Sequence, residues 1–435
     1  MKVGIWKKIA GAIFFAFVAF CLLADQLCAA GKTDEGEKQP VTKYWMSVST
    51  VNQTIPGMSE AMSSLGGMLG GMGGPGFGPR RQIHLQLNSP QKLPSEPHAT
   101  HDIPPGQNMG KTLPLMIPER ERAVPEPREE MPTEHKFEKP KFRMLIYWGC
   151  GENVRSGQPK VIDTEKMSPE DFGRAFSGIT PSPQYPPVPR EGWIYADWPN
   201  RKSTVEVPKT SSLQGDHFVH GNYAPDIRFA IGDRHDFMAP VEFSSVQGGL
   251  ADSIKFQWQS IPTATGYFAM ATAYNEKNGE MIIWSSSETP ETTYSLMDFL
   301  PPGDVQKFIK EKIVMPPSVT SCNIPKGIFK DTSGGMLQFI AYGNELNVAY
   351  PPKPKDPNEP WNLIWTTKVR LKSTGMLFLG QTEEMGSSHR PMRERRTEEY
   401  PEDEAVAPEQ RQQQQEDPRD DSSIPIKKLR GILGF

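Results

Sequence analysis

The spacing of apolar residues along this chain predicts strands far more often than helices. Residues 82–87 (QIHLQL) alternate strictly between polar and apolar, residues 254–258 (IKFQW) do the same, and residues 44–51 alternate loosely. Because side chains of a strand point alternately to its two faces, each segment predicts a strand with one buried face. Residues 142–148 (FRMLIYW) are almost continuously apolar, which is typical of a strand buried on both faces. The pattern therefore predicts a mainly β fold.

Helical spacing is confined to two short segments. Ser168 and Pro169 have the residue types of an N-cap and of a first helical position. Val305 and Phe308 recur at the spacing of one helix face. We expect one short helix after Ser168 and another within residues 304–313.

Three segments have no apolar period at all. Residues 56–79 are rich in Gly and Met, residues 119–141 in Pro and charged side chains, and residues 381–423 in charged residues, Pro and Gln. Such compositions bury too little apolar surface to offset the entropy of ordering the chain. They predict a mobile loop, a charged linker and a disordered tail, respectively.

The remaining sequence predicts two β-rich domains. The 435 residues leave room for about two domains of ordinary size. The first is expected over residues 41–198, interrupted by the Gly/Met-rich loop and the charged linker, and the second over residues 225–380. The boundary between them falls between residues 180 and 225, where Pro recurs.

Part of the second domain resembles a fibronectin type III domain. Trp258 ends an alternating strand, and the turn Ala-Thr-Gly at residues 264–266 leads to Tyr267. That family pairs a core Trp with a Tyr that opens the next strand after such a turn. The resemblance covers residues 243–303 and implies an immunoglobulin-like β-sandwich, which the helix expected at residues 304–313 would modify. It implies architecture and not function, because such sandwiches host adhesion, scaffolding and carbohydrate binding alike.

A hairpin is predicted inside this region. Asn278 and Gly279 separate two apolar segments, residues 268–274 and 281–285. This dipeptide is favoured in type I′ turns because both central residues adopt positive φ. We therefore expect two adjacent strands joined by a two-residue loop.

Residues 1–30 have the composition of a secretory signal peptide. Three lysines precede an apolar run of 16 residues at positions 9–24, and Ala29 and Ala30 supply the small residues of a cleavage site. We expect an exported chain that is periplasmic, envelope-associated or secreted after cleavage. No transmembrane span is expected in the mature chain.

Two alternatives stay open for this segment. An uncleaved anchor helix needs about 20 apolar residues, and Asp25 ends the run early. Lipidation of Cys28 needs a small residue directly before the cysteine, where this chain has Leu27. Cleavage is the interpretation that fits the pattern best.

Charge and cysteine content bear on partners and compartment. Without residues 1–30, 45 basic and 51 acidic residues remain, which is not the basic footprint of a nucleic-acid-binding protein. The two remaining cysteines, Cys150 and Cys322, would occupy a compartment where disulfides persist. A disulfide between the two predicted domains and a pair of buried free thiols are both compatible with their positions.

Familiar catalytic motifs are absent from the sequence. It contains no phosphate-binding loop, no Gly-x-Ser-x-Gly, no His-Glu-x-x-His and no Cys-x-x-Cys. Cys150 follows Gly149, but nothing in the sequence activates its thiol, so a structural role is favoured over that of a nucleophile. No cofactor is expected, and catalysis is not the favoured interpretation.

Three histidines are weak candidates for a divalent metal site. His217, His220 and His235 have acidic neighbours, and imidazole and carboxylate are common ligands of such ions. If residues 217–220 form a strand, however, His217 and His220 point to opposite faces. Solvated histidines are therefore the favoured alternative.

The end of the chain is a candidate docking motif. Residues 424–435 return to apolar character, with Ile426, Leu429 and Leu433 on one helical face and Phe435 at the end. A terminus that packs back on its own domain is the favoured interpretation. Docking on an envelope protein through this segment and weak membrane contact are the alternatives.

Together these features favour a non-catalytic binding or structural protein of the cell envelope or the secreted space. Exported β-sandwiches without catalytic motifs usually bind a ligand or a partner protein. The alternatives are an enzyme with an unfamiliar site and a periplasmic metal-handling protein that uses His and Met.

Overall fold

Strands dominate the regular structure. The computed structural model describes residues 40–54, 78–119, 142–168, 170–171, 174, 179–290 and 294–380. All of these belong to one compact unit, Met1–Ser388. The predicted signal peptide, disordered tail and C-terminal motif lie outside the described residues, as do most of the Gly/Met-rich loop and the charged linker.

Sixteen strands and one α-helix lie entirely within the described residues. In chain order they are β1 (Thr42–Thr54), β2 (Gly78–Ser89), β3 (Ala99–Asp102), β4 (Thr112–Leu115), β5 (Arg143–Trp148), β6 (Lys160–Asp163), β7 (Ile194–Trp198), β8 (Gly215–Gly221), β9 (Ile227–Ile231), β10 (Phe243–Gln247), β11 (Ile254–Trp258), β12 (Gly266–Asn275), β13 (Glu280–Ser285), α1 (Pro302–Lys310), β14 (Ser321–Ile324), β15 (Gly335–Tyr350) and β16 (Trp365–Leu379).

Nine of the strands form one large sheet in the order β6-β5-β13-β12-β15-β16-β1-β2-β7. Its pairs are antiparallel except for β5 with β13 and β1 with β16, which are parallel. Two smaller antiparallel sheets have the orders β10-β11-β14 and β4-β3-β8-β9. The prediction of a mainly β fold is confirmed.

Both small sheets pack on the same face of the large sheet, which we call the inner face. The three-stranded sheet covers β12 and β15, where the ring of Trp258 lies 5.5 Å from that of Tyr267 and 4.7 Å from that of Phe339. The four-stranded sheet covers β1, where the ring of Phe229 lies 6.2 Å from that of Tyr44. Two sandwich-like layers therefore share one continuous sheet and one apolar core.

The opposite, outer face of the large sheet is covered over only part of its area. Val305 and Phe308 of α1 are buried and pack in one cluster with Phe268 of β12 and Ile340 of β15. Their spacing is the one that predicts a helix at residues 304–313, and Pro302 opens that helix at a position where a missing N–H costs nothing. Farther across the sheet, the outer face of β16, β1 and β2 is not covered by α1.

Strand β5 departs from its predicted environment. Its apolar run predicts burial on both faces, but only Ile146 of this strand is fully buried. The prediction is wrong because β5 is second from the edge of the sheet, with only the four-residue β6 outside it. β5 also pairs with β13, so a strand of the predicted first domain joins strands of the predicted second domain.

The hairpin between β12 and β13 is longer than predicted. Asn275 pairs with Glu280, which leaves a four-residue loop between them. Of the two expected turn residues, only Gly279 has a positive φ, at 66°, so the turn is not type I′. The pairing of the two strands is as predicted, and the loop length is not.

A disulfide joins Cys150, in the loop after β5, to Cys322 in β14. The two Cα atoms are 5.2 Å apart, and the residues are separated by 172 positions in the sequence. The bridge therefore ties the edge region of the large sheet to the three-stranded sheet. Among the described residues, no helix is long and apolar enough to cross a membrane.

Candidate functional site

The structure places the three candidate metal-binding histidines in different surroundings. His217 is buried in the core, whereas His220 lies on the other face of β8, 3.1 Å from a carboxylate oxygen of Asp102. His235 belongs to a short 3₁₀ turn, Asp233–His235. In the described part of the chain, no group of three or more His, Cys, Asp or Glu is placed to hold a metal ion.

His217 instead belongs to a buried chain of hydrogen bonds. Its Nε2 lies 2.7 Å from the Leu213 carbonyl oxygen, and its Nδ1 lies 2.9 Å from Nε2 of His101. The Nδ1 of His101 lies 2.8 Å from the Tyr44 hydroxyl. A carbonyl oxygen only accepts, so His217 donates to Leu213, His101 donates to His217, and Tyr44 donates to His101. Every polar atom of both rings is satisfied while both rings are neutral.

Burial sets the ionisation of this chain. It lowers the pKa of His101 well below the usual value for histidine, and the neighbouring His217 lowers it further. Burial also lowers the pKa of His217, against the opposing effects of the Leu213 carbonyl and Asp216. Desolvation raises the pKa of the Tyr44 hydroxyl well above 10. The cluster is therefore a neutral part of the core.

A groove of about 830 Å³ lies on the outer face of β16, β1 and β2. One wall is formed by Asp298 and Phe299, and the other by residues 199 and 204–207. Its volume falls within the range of about 300–1,000 Å³ that is usual for ligand sites. Three cations of the outer face, Arg80, Arg370 and Lys372, line it against two carboxylates, Asp298 and Glu206. We call it the basic groove.

The floor of the basic groove consists of three cross-strand rows of side chains. The strand register places Arg370, Ser47 and His84 in the first row. Lys372, Ser49 and Gln82 form the second row, and Thr374, Val51 and Arg80 form the third. The middle strand, β1, contributes only small side chains to the rows, whereas its neighbours contribute longer ones except at Thr374. The floor is therefore a trough along β1 between taller polar side chains.

Arg370 is the most buried cation of the groove, with 8% of its surface exposed. Its Nε donates to the Ser47 hydroxyl at 2.8 Å, and its guanidinium carbon lies 4.2 Å from the ring centroid of Phe299 and 5.1 Å from that of Trp45. Desolvation lowers the pKa of Arg370, while the carboxylates of Asp298 and Glu345 oppose this shift. A guanidinium stays protonated at neutral pH nonetheless.

The nearby carboxylates are engaged by other cations. Glu345 pairs with Lys368 at 2.6 Å, and Asp298 pairs with Lys372 at 2.7 Å. Burial of Asp298 opposes its ionisation, but Lys372 holds the pKa of its carboxyl below the usual value. No described carboxylate lies within ion-pair distance of Arg370. Its buried charge is thus compensated by hydrogen bonds, by aromatic rings and, from beyond ion-pair distance, by two carboxylates that also pair with lysines.

The Pro-rich residues 180–190 cross the outer face and close one end of the groove. The Gln184 side chain accepts a hydrogen bond from Arg370 and donates one to Glu345 at 2.6 Å. Farther along, the side chains of Gln86 and Asn88 of β2 donate to the carbonyl oxygens of Pro187 and Val188, both at 3.0 Å. This segment holds the Arg370 guanidinium at its end of the trough.

At the other end of the groove, Arg80 is partly buried. Its Nε is shielded from solvent and has no hydrogen-bond partner among the described residues. Arg80 also forms no ion pair with a described residue. Two cations at opposite ends of one trough, both without a carboxylate partner in the described part of the chain, suit a negatively charged ligand.

Sequence reasoning missed this site, although one signal was present. In β16, Lys368, Arg370 and Lys372 alternate with Val369 and Leu371, so all three cations point to one face of a strand. The motifs sought in the sequence were catalytic and metal-binding ones, and a basic strand face belongs to neither class.

Comparison with known proteins gives no assignment. No model of a known protein family matches the chain, and no curated protein matches it. The chemistry of the basic groove therefore carries the functional argument.

Proposed function

We propose that the protein is an exported, non-catalytic binding protein of the cell envelope or the secreted space, and that the basic groove binds an anionic ligand. The observation that carries the proposal is Arg370, a buried guanidinium in the groove floor with no described carboxylate at ion-pair distance. The carboxylates nearest to it, Asp298 and Glu345, are each paired with a lysine, so an anionic group in the groove would lower the cost of burying this charge.

The architecture supports a binding role. Strands β10, β11 and β14 face strands β13, β12, β15 and β16, which makes seven strands in two layers. Trp258 and Tyr267, the two residues that carry the fibronectin type III resemblance, lie in opposite layers with their rings in contact. We propose that residues 243–379 form such a sandwich, and sandwiches of this kind commonly serve as interaction modules.

The disulfide supports the proposed export. Cys150 and Cys322 are bridged in the structure, and such bridges persist in oxidising compartments outside the cytosol. The signal-peptide composition of residues 1–30 points to the same compartment. Mass spectrometry of the exported protein tests this part, and an intact leader or a lipid on Cys28 would contradict it.

Calorimetric titration of the full chain tests the ligand site. The probes are short polyphosphate, hexaglutamate and oligogalacturonate, in about 0.15 M salt so that exposed long-range charge effects are screened. At least one probe should bind, and Arg370→Gln should weaken it about tenfold or more, since a charge-assisted hydrogen bond is lost.

Lys43→Gln is the control, because Lys43 is an exposed cation of β1, the strand next to β16, and does not line the groove. It should leave the affinity unchanged. Binding of none of the probes, or equal binding by Arg370→Gln, contradicts the proposed site.

A further inference from the structure

We infer that the ligand of the basic groove is a linear acidic glycan, a chain of hydroxylated sugars that carries carboxylate or sulfate groups. The inference rests on the proposed function and narrows the ligand to one chemical class. Three features of the groove carry it: the spacing of Arg370 and Arg80, the composition of its floor, and the pairing of the backbone of β1.

Arg370 and Arg80 lie at opposite ends of the trough. They are two rows and two strands apart, which places their Cα atoms about 16 Å from each other. Ser47, Gln184 and the ring of Phe299 hold the Arg370 guanidinium at its own end of the trough. A ligand with two negative groups separated by an uncharged stretch suits this spacing.

The floor between the two cations both donates and accepts hydrogen bonds. Ser49 and Gln82 lie in the middle row, where the Ser49 hydroxyl donates to the Gln82 side-chain oxygen at 3.2 Å, and Thr374 adds a further hydroxyl in the row of Arg80. Sugar hydroxyls also donate and accept, so they can satisfy both kinds of atom. Polyphosphate only accepts, so it cannot donate to the hydroxyl oxygens of Ser49 and Thr374.

Strand β1, which runs along the trough, has no free edge for a peptide. Strand β1 is paired along its length to β16 on one side and to β2 on the other. An extended acidic peptide usually gains affinity from backbone hydrogen bonds at a free strand edge. Here its amide groups would meet only side chains, whereas a glycan has no amide backbone to satisfy. Phe299 adds a partly exposed apolar wall beside the floor.

Titration of the full chain with matched oligomers tests the inference. The acidic probes are hexameric oligogalacturonate and a sulfated glucose hexamer. The comparison probes are neutral maltohexaose, hexaglutamate and short polyphosphate. We expect at least one acidic glycan to bind about tenfold tighter than every comparison probe, because only it satisfies cations and floor together.

Two variants test the spacing. Arg80→Gln should weaken the acidic hexamer several-fold and leave the affinity for monomeric galacturonate unchanged, because a monomer reaches only one cation. Arg370→Gln should weaken both. Thermal melts of each variant confirm that it is folded, and Lys43→Gln again serves as the control.

The outcomes separate this inference from the proposed function. If hexaglutamate or polyphosphate binds as tightly as the acidic glycans, and Arg370→Gln weakens it, the glycan class is overturned and anion binding stands. If maltohexaose binds as tightly as the acidic hexamers, or if no probe binds, both are overturned. Equal loss of hexamer and monomer affinity in Arg80→Gln overturns the two-point contact.

Discussion

Neutral histidines in the core make part of this fold sensitive to acid. His101 and His217 are linked to Tyr44 and to the Leu213 carbonyl by hydrogen bonds that use the neutral form of each ring. A proton added to Nδ1 of His217 would face the N–H of His101, and two donors cannot bond to each other. Protonation therefore removes a hydrogen bond and leaves a charge in the core.

We predict that the free energy of unfolding falls as pH is lowered below about 6.5. Burial lowers the pKa of both rings in the fold, whereas in the unfolded chain they titrate near 6.5. Below that pH the unfolded state binds more protons, so stability is lost with acid and is fully present above it. Each ring contributes about 1.4 kcal/mol per pH unit between its lowered pKa and 6.5.

Urea unfolding from pH 7.5 to pH 5 measures this dependence. The double variant His101→Gln, His217→Gln has no titrating ring at either position, so its stability should fall less steeply over this range, whatever its stability at pH 7.5. Equal slopes for the two proteins would show that the pair is not the source of the acid sensitivity.

In the large sheet, strand β16 lies between β15, which is covered by the three-stranded sheet, and β1, which is covered by the four-stranded sheet. It pairs with β15 on one side and with β1 on the other, and it carries Arg370 and Lys372 of the groove on its outer face. Its partner β15 has an irregularity between Tyr342 and Glu345, beside Gly343. A Cβ atom at Gly343 would lie 2.6 Å from Cβ of Leu371 and 2.7 Å from Sδ of Met238. The glycine therefore allows β16 and the segment after β9 to pack closely here.

We predict that Gly343→Ala destabilises the protein by about 1–3 kcal/mol, the usual cost of overpacking a core. Gly303→Ala in α1 is the matched control, because no atom lies within 4 Å of a Cβ at that position. It should stabilise the protein by about 0.4–1 kcal/mol by restricting the unfolded chain. Urea unfolding of both full-length variants gives the two signs, and a neutral Gly343→Ala would show that the neighbours give way.

Local patterns predicted the strands better than their partners. The alternation of residues 82–87 correctly places Ile83, Leu85 and Leu87 in the core, and helical spacing correctly predicts α1. The parallel pairing of β1 with β16 joins segments more than 300 positions apart. Such pairing depends on how whole faces fit together, which no local period encodes.

The same limit explains what could be foreseen of the groove. The basic face of β16 is readable from its alternating cations, since strand period two requires it. The trough cannot be read from the sequence, because it forms only when strand pairing places Ser47 and Ser49 of β1 between the basic face of β16 and the polar face of β2. The histidine pair is similar, since His101 and His217 meet through the pairing of β3 with β8.

The disulfide is the covalent link between distant parts of the described fold. Cys150 follows β5, which lies near one edge of the large sheet, and Cys322 is buried in β14 of the three-stranded sheet. Beside the bridge, Trp284 donates to the Gly149 carbonyl oxygen at 3.0 Å, and Arg155 donates to the Cys150 carbonyl oxygen at 2.9 Å. The loop after β5 is therefore held by both covalent and hydrogen bonds.

We predict that the double variant Cys150→Ser, Cys322→Ser is less stable than the native protein by about 2–5 kcal/mol. The bridge closes a loop of 172 positions, and a long loop in the unfolded chain loses much entropy when it is closed.

Urea unfolding with and without reductant measures the effect. Reductant should lower the stability of the native protein toward that of the variant and leave the variant itself unchanged. Neither cysteine lines the groove, so the folded variant should bind the acidic hexamer with native affinity. Peptide mapping without reductant should recover the Cys150 and Cys322 peptides linked, and recovery of both as free thiols would contradict the bridge.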